Sequence, residues 1–81
     1  MEIAFSTSAW RSWQKLPQKI QTRLESKLKF YASDPLRYAV KLSDPKIGEY
    51  RFRVGDYRVV FDISEETIFI LEVGHRKDVY R

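Results

Sequence analysis

Between Gly48 and Phe61 the chain reads GEYRFRVGDYRVVF, and this run leaves few choices of fold. Tyr50, Phe52 and Val54 alternate with Arg51 and Arg53, the period-two pattern of a strand with one apolar face. Gly55-Asp56 supplies a two-residue hairpin loop with glycine first, as a II′ turn prefers. Closing the hairpin there pairs Val54 with Tyr57, Phe52 with Val59, Tyr50 with Phe61 and Arg53 with Arg58. The apolar face continues through Tyr57, Val59, Phe61 and Ile63, and the other face presents Arg51, Arg53 and Arg58. A sheet with one apolar face must bury it against another layer.

The preceding residues supply that layer. Ile3 and Phe5 flank Ala4 in a short first strand over Glu2–Thr7. Ser6 or Ser8 is placed to cap a helix running from about Ala9 to Leu16, whose Trp10, Trp13 and Leu16 share one face. Pro17 breaks that helix and suits the first turn of the next. The second helix spans Gln18–Ala32, with Ile20, Leu24, Leu28 and Tyr31 as its apolar stripe and Arg23, Lys27 and Lys29 on a solvated face. Ser33-Asp34-Pro35 stops it, because the residue before proline avoids helical dihedrals. Leu36–Ile47 has no clear period and reads as a loop. Ser64-Glu65-Glu66 turns the chain into a last strand, Thr67–Val73. That strand is apolar on both faces; placing Phe69, Leu71 and Val73 on the core side brings Glu72 beside Arg58 on the other. The predicted fold is α+β, in the order β-α-α-β-β-β. A helical hairpin packs on one face of a small antiparallel sheet, and no helix covers the opposite face.

At 81 residues the chain is expected to form a single domain, residues 1–81. It has no cysteine and one histidine, which removes disulfide frameworks, thiolate metal sites and histidine-rich metal clusters. No cofactor is implied. No apolar run approaches the roughly 20 residues of a membrane span, and the start, MEIAFSTSAW, lacks the pattern of a secretory signal. A soluble cytoplasmic protein is expected. Fifteen Lys/Arg against eleven Asp/Glu give a net charge of +4, which suits a polyanionic partner without identifying one.

The arginine face is the feature that calls for chemistry. Like charges directly across a strand pair cost up to about 1 kcal/mol, yet Arg53 faces Arg58. One reading is a face kept soluble by arginines that Glu49, Asp62 and Glu72 compensate. The other is an anion held between guanidinium forks, which match phosphate oxygens better than lysine does. His75, Arg76 and Tyr80 follow the last strand and can return to this face. Such a set suits metal-free RNA cleavage. A base takes the ribose 2′-OH proton, positive charge stabilises the pentacovalent phosphate, and an acid protonates the leaving 5′-oxygen. A tyrosine or a histidine could serve as base, and a tyrosine would need its pKa, ordinarily near 10, lowered by neighbouring arginines.

The Leu16-Pro17 break, the Ser33-Asp34-Pro35 stop, the 48–61 segment and the ending VGHRKDVYR at 73–81 occur in the order and spacing of a known family. The chain resembles the RelE/ParE superfamily of toxins from toxin–antitoxin pairs, and most of all its RelE-like mRNA interferases. The resemblance implies the same fold and a ribosome-dependent endoribonuclease that cuts mRNA in the ribosomal A site, beside 16S rRNA. It implies a hetero-oligomer with an acidic antitoxin. By the same resemblance Arg58 stabilises the transition state, Arg76 acts as acid and Tyr80 as base. Arg51 and Arg53, with His75 and Lys77, bind substrate. Arginines here replace the lysines that RelE-like enzymes carry on the second strand, and the interval from Arg76 to Tyr80 is shorter. The alternative within the superfamily is a ParE-like toxin that inhibits DNA gyrase without cutting RNA.

Overall fold

The computed structural model describes residues 1–43, 48–75 and 77. Among them the elements run β1 (Glu2–Phe5), α1 (Thr7–Gln14), α2 (Gln18–Tyr31), α3 (Pro35–Tyr38), β2 (Val40–Lys41), β3 (Tyr50–Val54), β4 (Tyr57–Ser64) and β5 (Thr67–His75). The strands form one sheet in the order β1-β5-β4-β3-β2. The expected α+β arrangement of helices on a sheet is present. The sheet is antiparallel except at its edge, where β1 runs parallel to β5. A parallel partner needs a long crossover, and here the chain between β1 and β5 includes the helices and three other strands.

The helices start and stop for local reasons. Ser6 caps α1, its hydroxyl accepting from Ala9 N–H at 3.0 Å, so the helix begins at Thr7 and not at Ala9. Gln21 holds the α1–α2 corner: its side-chain amide donates to the carbonyls of Trp13 (2.9 Å) and Leu16 (3.2 Å). Both carbonyls lie where α1 ends, and that of Trp13 also accepts the Leu16 N–H at 3.1 Å. The expected loop over Leu36–Ile47 is not simply a loop in its first part, and residues 44–47 lie outside the described residues. Pro35 occupies the first turn of the short α3, a position that tolerates its missing N–H. Val40–Lys41 then pairs with Arg51 and Tyr50 as β2.

The core lies between the helices and one sheet face. Ala9, Trp13, Leu24 and Leu28 meet Phe52, Val54, Val59, Phe61, Ile68, Ile70 and Val73. Aromatic rings fill its centre, with Phe52 and Phe61 stacked at 4.3 Å and Tyr31 against Phe52 at 4.9 Å. The β3–β4 register is the one expected from the Gly55-Asp56 turn at all four named pairs. Gly55 has φ +59°, as the first loop position of such a hairpin requires.

The β5 register differs from expectation. A β-bulge shifts the ladder, so Val60 pairs with Glu72 and Phe61 with Ile70, which leaves Leu71 without an opposite residue. The extra residue puts Ile68, Ile70 and Val73 in the core together, while Phe69 is exposed. Strict alternation cannot place both Ile70 and Val73 on one face. The bulge does, and it sets Gly74, not Glu72, opposite Arg58. The second sheet face is also less open than expected. Val60 is fully buried there, and a Cβ added at Gly48 would stand 2.6 Å from Val60 Cγ1 and 3.1 Å from Leu71 Cδ1. The backbone at Gly48 therefore lies directly on this face, in place of a helix.

Candidate active site on the arginine face

The hairpin carries its arginines into three different environments. Arg51 stands on β3 between Val40 of β2 and Val60 of β4, half-buried. Arg53 is exposed. Arg58, opposite Arg53, is only 5% exposed and is the one buried charged side chain among the described residues. A guanidinium in such a place must be held by acceptors to remain worth its desolvation. One is the Gly55 carbonyl, which accepts from Arg58 Nη1 at 3.4 Å. On its other side, Arg58 faces Gly74, which has no side chain to compete for the space.

Two of the three carboxylates expected to compensate the arginines accept hydrogen bonds from neutral donors. Asp62 accepts the backbone N–H of Glu49 at 2.7 Å. Glu72 accepts from Ser12 Oγ of α1 at 3.3 Å. Arg53 has no carboxylate within 4.0 Å among the described residues. An exposed guanidinium at Arg53 facing a buried, oriented one at Arg58 is an arrangement suited to a phosphate dianion or a phosphorane.

His75 is placed apart from that face. It pairs with Tyr57, which belongs to the helix-facing side, and the two rings meet edge to face at 5.5 Å. Its Nδ1 accepts the N–H of Lys77 at 3.3 Å, and its side chain borders a cleft shared with Ser12, Lys15 and Leu16. Lys77 is exposed. Arg76 and Tyr80, the expected acid and base, lie outside the described residues. Among the described residues no group of three His, Asp or Glu side chains could hold a metal ion, and no helix is long and apolar enough to cross a membrane.

Arg23 of α2 is exposed, as expected of the solvated helix face. Its guanidinium reaches the hairpin turn, which the sequence does not signal: a Cβ at Gly55 would be 3.4 Å from Arg23 Nη2.

Comparison with known proteins places this geometry in a family. Residues 3–80 match the family model described as ParE toxin of type II toxin–antitoxin system, parDE. The chain is 35% identical to toxin RelG of Mycobacterium tuberculosis over 98% of its own length and 94% of that protein's. The chain belongs to the RelE/ParE superfamily of type II toxins. It is also 27% identical to toxin RelE3 of Methanocaldococcus jannaschii, over 99% of this chain and 96% of the relative. Among solved structures, the toxin–antitoxin complex RelBE2 from Mycobacterium tuberculosis holds a chain that matches with a TM-score of 0.79 at 33% identity, covering 93% of this toxin and 96% of that chain. The isolated E. coli RelE toxin matches with a TM-score of 0.77 at 24% identity, over 91% of this toxin and 82% of that chain, a likeness of fold.

Proposed function

We propose that this toxin is a ribosome-dependent mRNA endonuclease of the cytoplasm. Its observational basis is the Arg53–Arg58 pair, with one guanidinium buried and oriented and the other exposed. Arg51 and Arg53 bind the substrate phosphates. The ribose 2′-oxygen attacks the adjacent phosphorus as Tyr80 takes its proton. Arg58 neutralises the charge that develops on the non-bridging oxygens, and Arg76 protonates the departing 5′-oxygen. The P–O5′ bond breaks, leaving a 2′,3′-cyclic phosphate and a 5′-hydroxyl. Lys77 adds charge at the end of β5. His75, turned towards α1, contributes to binding indirectly through the Lys77 N–H. With no strong acid or base in the set, the rate depends on positioning, and the ribosomal A site with its 16S rRNA would supply it. The partner is an acidic antitoxin bound in a hetero-oligomer, in line with the toxin–antitoxin complex to which the chain is 33% identical.

A second reading, a ParE-like gyrase inhibitor without nuclease activity, is favoured by the description of the matching family model. A cleavage assay on translating ribosomes, run beside a gyrase supercoiling assay, separates the two. Codon-phased cuts that fall at least about 100-fold in rate with Arg58→Ala support the nuclease, that being the usual scale for removing an oriented transition-state donor. Gyrase inhibition without cutting would overturn it.

A further inference from the structure

Two arginines from different elements approach the hairpin turn at Gly55, and a third faces one of them across the ladder. Arg58 Nη1 of β4 donates to the Gly55 carbonyl at 3.4 Å. Arg53 of β3 faces Arg58 across the ladder. From α2, Arg23 lies over Gly55 itself: a methyl group built there would stand 3.4, 3.8 and 3.9 Å from its Nη2, Cζ and Nη1. Neither Arg23 nor Arg53 has a carboxylate within 4.0 Å among the described residues. One helical turn to either side of Arg23 stand Lys19 and Lys27, both exposed. Like charges at i, i+4 repel by a few tenths of a kcal/mol per pair, and a bound anion relieves that repulsion. A single small ion would satisfy one member of the row. A cationic row that passes the hairpin turn at Arg23 fits a polyanionic strand.

We propose that Arg23 is a further substrate-binding residue, holding an RNA backbone phosphate next to the one held by Arg53 and Arg58. The assignment rests on the RNA-binding reading given above. Its geometry explains the residue type, since a guanidinium can lie flat over the Gly55 peptide and still direct donors outward, which an ammonium cannot do.

The test is binding of a short single-stranded RNA, followed by fluorescence anisotropy between about 50 and 200 mM salt. Arg23→Ala is expected to weaken binding about tenfold, and to flatten the plot of log K against log salt by about 0.7, the share of one single-strand phosphate contact. Arg23→Lys should keep most of that slope. Lys29→Ala makes the same change in net charge but sits where Lys29 pairs with Glu25 at 3.1 Å, beside Trp10 and Trp13; it should bind as wild type does. The melting temperature of Arg23→Ala should match wild type, which a merely structural role would lower. The proposal fails if Arg23→Ala keeps wild-type affinity and slope, if Lys29→Ala is equally impaired, if the loss tracks a fall in melting temperature, or if the wild-type protein has no affinity for RNA. Ribosome cleavage judges the nuclease reading separately. Arg23-dependent RNA binding without codon-phased cutting would remove the nuclease and keep Arg23; cutting with Arg23-independent binding would do the reverse.

Discussion

Gly48 and Glu65 show how much single backbone positions decide in a chain this small. Gly48 has φ +151°, and a Cβ there would meet Val60 Cγ1 at 2.6 Å. Gly48→Ala should therefore cost about 2 kcal/mol or more, from overpacking and a dihedral that L-residues avoid, read as a lower urea midpoint at unchanged m. Glu65 has φ +56° in the turn between β4 and β5. Asparagine accepts that region more readily, so Glu65→Asn should stabilise by about 0.5 kcal/mol in the same experiment. Arg58 presents the opposite case, a buried charge that the proposed cleavage uses. Arg58→Lys should fail to restore cleavage, because a point charge cannot reproduce a fork held by the Gly55 carbonyl. Single-turnover cleavage of ribosome-bound mRNA would register it. Arg58 was legible from the sequence as a member of a facing pair. Its burial was not, since burial depends on what other segments lay over it.

Within the elements, β5 separates what pattern can say from what packing decides. Its residues are apolar on both faces, so period-two reading had no contrast to work with. The bulge at Leu71 resolves the choice by letting Ile68, Ile70 and Val73 all reach the core. Substitution can check this. Ile70→Ala should cost roughly 2–4 kcal/mol by urea denaturation, as a fully buried side chain does. Phe69→Ser should cost less than about 1 kcal/mol, since Phe69 is exposed. The unbulged register, with Phe69 inward, requires the reverse order. The β3–β4 hairpin was readable to the residue because arginines alternate with aromatics and one glycine-led loop sets the pairing. The short α3 and β2 escaped, because four and two residues are too few for any period to show.

For the whole molecule, the proposed binding of phosphates on the arginine face predicts salt dependence. Association with ribosomes should weaken steeply between about 50 and 200 mM salt, with a slope set by the number of phosphate contacts; a sedimentation series would measure it, and a flat response would argue against a phosphate-bound interface. Much of the molecule followed from local order along the chain. The hairpin register, the two main helices, the facing arginines and the family resemblance depend on residues close in sequence, where period, caps and turn residues act directly. The tertiary structure decided what distant segments do to one another. It laid Gly48 on Val60, drew Glu72 to Ser12 and left Gly74 opposite Arg58. It turned His75 towards Tyr57 and α1, and set the exposed Arg23 of α2 beside the hairpin turn. Such meetings depend on how layers pack and where a strand bulges, and neither is written in the spacing of residues along one element.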